Sequence, residues 1–219
     1  MFRIHERSVR RYRDEIEELL TIHGFQPAAA DHPIRSLDDL AAYVEAHGDD
    51  PILVDGTEVR RWSPGMWDDQ KQAWSGKTKA HVVKATVISD ASRRPLWVEA
   101  NPNGDGRTND IAMLRAQTSL MLFLSIAVGA GIVVVADRGY QTLHKDLDAD
   151  RVQTPIYRTR YRSLTDDETR YNRDLSARRM PVEHAIGRMK WWHALSYWRR
   201  PTAAFDQTSK AIGILATLT

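Results

Sequence analysis

Cysteine is absent from the chain, which removes disulfides, thiolate metal sites and cysteine nucleophiles from consideration and is compatible with a reducing compartment. Nor does the start, MFRIHERSVRRYRDEIEELL, contain the apolar core of a secretory leader. No internal repeat and no low-complexity tail interrupts the sequence. Long hydrophobic runs are scarce too. The longest charge-free one is LMLFLSIAVGAGIVVVA, residues 120–136, near the lower limit for a membrane span. Gly129 and Gly131 divide it into a Leu/Met/Ala half that suits a helix and a β-branched half that suits a strand. A buried helix, a glycine turn and a central strand describe it better than a bilayer span, so the sequence reads as soluble, with no membrane partner.

What is present is a chain of 219 residues, 27% of them charged, long enough for one core and a small appendage. The net charge of +2 hides an uneven distribution. Between 151 and 200 stand twelve Lys and Arg against five acids, and the first thirteen residues hold five arginines. Two basic regions around a near-neutral centre fit a polyanionic partner, although a solvated arginine-rich surface would look the same.

Periodicity predicts helices over 6–20, with Val9, Tyr12, Ile16, Leu19 and Leu20 on one face, and from Ser36, as N-cap, to about His47. Strands follow at 52–59, 81–90 and 95–100, the last two forming a hairpin turned by ASRR. A glycine- and asparagine-rich loop leads to a helix at 110–128. A central strand within 132–140, running into a loop at Asp137, a short helix at 142–150 and a strand at 152–158 come next. A long basic helix runs from about 165 to 196, kinked or restarted at Pro181, and a terminal helix covers 203–217. Strands first, then helices alternating with strands, describe an α/β fold with a mixed sheet.

Two of those strands end alike. PILVD stops at Asp55 and IVVVAD at Asp137, each after four apolar residues and before a polar or glycine-containing turn. Singly, each would pass for a strand-capping aspartate. If the strands are parallel neighbours, both carboxylates emerge at the edge where open α/β sheets bind ligands. Two such acids repel, and a divalent cation relieves that; Mg²⁺ needs only one or two carboxylates plus substrate phosphates. Glu183 is the candidate third acid. It follows Pro181 near an expected helix start, and Arg179 and Lys190 share its face of an unbroken helix. Alone it would pass for an ion-pair residue.

These residues carry a resemblance. VDGTEV (54–59), WSGKTKAHVVKATVISD (74–90), RTNDIAML (107–114), VVVADRGY (133–140) and RRMPVEHAIGRMKWWHAL (178–195) stand in order. In them the chain resembles the catalytic part of DDE transposases of the bacterial insertion-sequence-five and PIF/Harbinger group, from about residue 36 to the end. The resemblance implies a ribonuclease-H-like mixed sheet flanked by helices, with catalytic and metal-binding acids Asp55, Asp137 and Glu183. It further implies two Mg²⁺ or Mn²⁺ ions, cleavage at terminal inverted repeats and strand transfer into target DNA. Asp110 matches an acid that either assists metal binding or caps its helix. Lys77, Lys79, His81 and Lys84 are expected to face phosphate, Lys84 alternatively pointing off the sheet. Arg138, Arg179, Arg188 and Lys190 would clamp phosphates. Trp191, Trp192, His193 and Trp198 would either stack on bases or pack the helix. Double-stranded DNA, a homodimer or larger assembly on it, and a cytoplasmic, nucleoid-associated location follow from the same resemblance.

Members of the group carry a helix-turn-helix ahead of the catalytic strands. Here residues 1–35 read as a remnant of such a module plus linker, with Ser8, Arg10 and Arg11 available to a major groove, and 36–219 as the catalytic domain. Three readings therefore stay open: a transposase, a binding remnant that does not cut, and an endonuclease of the same fold without strand transfer.

Overall fold

The computed structural model describes residues 6–22, 37–48 and 50–217. The expected linker and the Ser36 cap lie outside them. Helices α1 (Glu6–Ile22) and α2 (Leu37–His47) precede β1 (Ile52–Arg61). Then come α3 (Trp67–Ala73), β2 (Trp74–Ser75), β3 (Ala80–Ser89), β4 (Pro95–Ala100), α4 (Asp110–Ala116), α5 (Thr118–Gly129) and β5 (Val134–Ala136). Two 3₁₀ helices, Arg138–Lys145 and Ala149–Arg151, lead to β6 (Val152–Gln153). The long α6 (Asp166–Lys190) is followed by α7 (His193–Ser196), β7 (Tyr197–Trp198), a 3₁₀ turn at Thr202–Ala204 and α8 (Phe205–Leu215).

The sheet runs β2-β3-β1-β5-β6, with β4 beside β3 and β7 beside β1. β1 and β3 are antiparallel, and β1 and β5 parallel. Alternation along β1 sends Ile52 and Val54 into one apolar cluster, shared with α5, and Leu53 and Val59 into another, shared with α6 and α8. A mixed sheet with helices on both faces is the ribonuclease-H-like arrangement that the resemblance implied.

One edge of β1 is only partly paired. β5 covers Ile52–Val54 and stops at Ala136, while β7 begins opposite Arg60. Between them, among the described residues, Asp55–Val59 has no strand on that side, and α6 crosses the gap.

Several boundaries differ from expectation, each for a local reason. The helix at 110–128 is two helices bent by 93°. Gln117 makes the corner. Its buried side chain accepts from the Thr86 hydroxyl (2.7 Å) and donates to the carbonyls of Glu99 (2.7 Å) and Ala100 (3.2 Å). No single helix among the described residues is long and apolar enough to cross a membrane. The glycine turn after α5 holds, with Gly131 at φ +94°. The strand expected to run into a loop at Asp137 does end there but starts later, at Val134, and Asp137 caps the 3₁₀ turn that follows by accepting from the Gly139 amide. The segments at 142–150 and 152–158 are 3₁₀ turns and a two-residue strand.

α6 neither restarts nor ends at Pro181. Leu175 and Val182 flank the proline and, with Ala185 and Met189, lie buried on one side of the helix; packing holds both halves in line despite the lost backbone bond. α1 exposes Val9, Tyr12, Ile16 and Leu19. It is instead held by Arg200, which reaches Asp14 (3.1 Å) and Glu17 (2.9 Å).

Gln117→Ala leaves Thr86 and two buried carbonyls without their partner. A loss of about 1–3 kcal/mol in unfolding free energy is expected from urea titration; a loss below about 0.5 kcal/mol would show that the bend needs no such anchor.

Candidate active site

Parallel pairing of Val54 with Ala136 sets the next residues, Asp55 and Asp137, side by side at one sheet edge. Asp55 points toward α6. Its Oδ1 accepts from the Gly56 amide (2.8 Å), and its Oδ2 faces the Arg179 guanidinium at 3.4 Å. That same guanidinium lies 3.8 Å from Glu183 one turn along α6. Arg179, 13% exposed, is thus a bridge between the first and third acids; Glu183 is 49% exposed. Glu183 lies mid-helix, not near a helix start as expected.

Asp110 approaches from the other side. The cap of α4 is Asn109, which accepts from the Ala112 amide, so the capping role considered for Asp110 belongs to its neighbour. Two glycines admit its carboxylate. A Cβ at Gly56 would stand 3.0 Å from Asp110 Oδ1, and one at Gly139 would stand 3.0 Å from both Asp110 Oδ2 and Asp137 Oδ1. Each strand-end aspartate is followed within two residues by a glycine, a sequence signal for close approach that pattern reading passed over.

Behind this edge lies a network the sequence did not reveal. Lys84, 7% exposed, is neither phosphate-facing nor solventward. Its ammonium reaches Glu58 (3.2 Å), Asp110 (3.8 Å) and the Thr108 carbonyl (2.9 Å). Burial works against the Glu58 charge, but the Thr78 and Ser75 hydroxyls and Lys84 hold its carboxyl below the usual range. The network fixes the 76–79 turn, and with it Lys77, at the mouth of a cleft of about 430 Å³ lined by Asp55, Glu58, Arg60, Lys77, Glu183 and Lys190. Lys190 Nζ donates to the Glu58 carbonyl (3.1 Å), serving a backbone group on the unpaired edge of β1. Burial lowers its pKa.

Other expected DNA contacts are scattered. Lys79 sits in the turn at φ +54°, His81 packs edge-on to Trp74, and Arg138 lies over the Tyr157 ring. Arg188 donates to the Ala216 carbonyl. Arg10 and Arg11 pair with Glu6 and Glu15 on α1. Trp198 is core, packed on Phe205, while Trp191 and Trp192 are exposed.

Comparison with protein families matches residues 54–219 to the DDE superfamily endonuclease. The chain belongs to that superfamily. A probable transposase for insertion sequence element IS702 from Microchaete diplosiphon is 29% identical over 145 residues, a match covering 66% of this chain and 48% of the relative. The chain thus spans about half the length of that relative. No solved structure matches it. DDE superfamily endonucleases use divalent metals in general, and the donor set fits that chemistry. Carboxylate oxygens are the hard ligands Mg²⁺ and Mn²⁺ take, and two of them suffice when water and phosphate complete the shell. As the side chains stand, no three acids or histidines among the described residues enclose a common ion position; Arg179 fills the space between Asp55 and Glu183.

Burial pushes the Asp55 carboxyl up to about 6, Arg179 opposing and Asp137 and Asp110 adding to the rise. Asp110 is also raised, chiefly by burial. Between 3.8 and about 6 the folded chain keeps a proton on Asp55 that the unfolded chain has shed, so this group's contribution to stability falls as pH rises through that window. Carboxyl ¹³C titration of the metal-free protein should find Asp55 near 6, lower in Asp137→Asn and higher in Arg179→Ala. A value that neither substitution moves would show that the three groups are not neighbours.

Proposed function

We propose that this chain is the catalytic part of a DNA transposase, cutting phosphodiester bonds at element ends and joining the freed 3′-hydroxyl to target DNA. Asp55, Asp137 and Glu183 would hold two Mg²⁺ or Mn²⁺ ions, with Asp110 beside them. When bound, such a pair activates the attacking oxygen and stabilises the leaving oxygen of an in-line displacement. One observation carries this reading: the β1–β5 register that makes neighbours of two half-buried aspartates, with α6 delivering a glutamate across the adjacent gap. The IS702 relative, itself a probable transposase, points the same way.

The chain's own groups have distinct work. Lys77, Arg60 and Lys190 bring positive charge to the cleft and meet the phosphate backbone. Arg179 compensates Asp55 and Glu183 in the resting site, and with the acids holding divalent ions it would be free to meet a phosphate oxygen. Lys84 stays buried, opposes the rise at Asp110 and holds it in place. The substrate is double-stranded DNA, gripped by two or more copies of the chain in the bacterial cytoplasm.

Incubating the purified chain with Mn²⁺ and a duplex carrying the element end separates the three readings. Joined products mark a transposase, nicks alone an endonuclease, and a gel shift without cleavage a binding remnant. Asp55→Asn, Asp137→Asn and Glu183→Gln should each lower cleavage by about a hundredfold or more, the scale of losing one electrostatic stabiliser, with duplex affinity retained. Near-normal cleavage by any one of them removes that residue from the triad.

A further inference from the structure

Trp62 is 65% exposed. It follows the last residue of β1, at the opposite end of the unpaired edge from Asp55. Its ring meets that of Tyr197 edge-to-face at 6.1 Å. Tyr197 opens β7 and pairs in register with Arg60, which lines the cleft. Over the Tyr197 ring lies the Arg199 guanidinium, 5.2 Å from its centre. Further along, Trp67 is also exposed, with the Lys71 ammonium 5.2 Å over its ring. Exposed Trp62, beside the half-buried Tyr197 and its Arg199, thus stands two residues beyond Arg60 at the end of the cleft, most of its ring left in water.

Large aromatic side chains left in water, in company with arginines, are the surface on which unpaired bases stack while their phosphates are neutralised. Along its length a duplex presents its bases edge-on and offers no π-face to Trp62; an unpaired strand does. The distance is set by the strand: at about 3.3 Å per residue, Arg61 stands about 20 Å from Asp55. DNA whose phosphate lies at the acids therefore reaches Trp62 only several nucleotides away, in its flank.

We propose that Trp62 and Tyr197, flanked by Arg60 and Arg199, form a stacking platform for unpaired nucleotides flanking the cleavage site. The site takes single-stranded DNA tails without sequence preference and lies outside the three-acid centre. It rests on the reading of the cleft as a DNA-cutting site, but its test needs no cutting.

Fluorescence anisotropy in EDTA, where no divalent ion is available and no cleavage occurs, compares a blunt duplex with the same duplex bearing a short unpaired tail on either strand. The intact chain should bind one tailed form about tenfold tighter, within the range one or two stacked bases supply. Trp62→Ala should erase that preference and leave blunt-duplex affinity unchanged, while Trp62→Phe should keep part of it. 2-Aminopurine in the tail should be quenched by the intact chain and by Trp62→Phe, not by Trp62→Ala. Equal affinity for tailed and blunt DNA, or an undiminished preference in Trp62→Ala, would overturn the proposal. So would a change in sedimentation mass on Trp62→Ala with the preference intact, which would make the patch a contact between copies. Failure of the triad variants to abolish cleavage would leave these binding results as they are.

Discussion

Everything at the site depends on one electrostatic conflict that the fold imposes. Parallel pairing of β1 with β5 brings two strand-end aspartates together in a partly buried edge, and Asp110 adds a third carboxylate through the space two glycines leave open. Burial and mutual repulsion raise Asp55, and the molecule answers with two cations of different kinds. Lys84, buried on β3, serves Glu58 and Asp110. Arg179, on the helix above, serves Asp55 and Glu183. The first is a fixed part of the scaffold. The second is a long side chain at the wall of an open cleft, well placed to yield to a stronger cation.

The cleft owes its existence to a shortened strand. Had β5 continued past Asp137, it would have sealed the edge of β1 along Asp55–Val59. It stops because Asp137 turns its side chain back onto the Gly139 amide and starts a 3₁₀ turn. The gap is then bridged by α6, whose continuity through Pro181 is necessary if Arg179 and Glu183 are to share one face. Lys190, on the same face, occupies a carbonyl of β1 that no strand pairs. A local ending and a tertiary override of a helix breaker together make the site.

Much of this was legible beforehand because it rests on short-range pattern. The apolar runs ending in Asp55 and Asp137 showed two similar strands, and the split of residues 120–136 at Gly129 and Gly131 showed a helix followed by a strand. Glu183 with Arg179 and Lys190 at helical spacing showed one working face. What escaped depends on partners far along the chain. Nothing local marks Gln117 as the corner of a bend, since its anchors are on β3 and β4. Lys84 looks like any surface lysine until Glu58 and Asp110 close over it. Asp110 looked like a cap because Asn109, the actual cap, is an equally good one. The two-residue β6 and β7 pairings and the exposed Trp62 likewise follow from neighbours no periodicity reveals.

The most direct measurement is the position of a divalent ion in crystals soaked with Mn²⁺, located by anomalous scattering. The account predicts a peak bonded to oxygens of both Asp55 and Asp137, with Arg179 withdrawn from Asp55. A peak bound elsewhere, or Arg179 still joined to Asp55 with no ion between the two aspartates at saturating Mn²⁺, would contradict it.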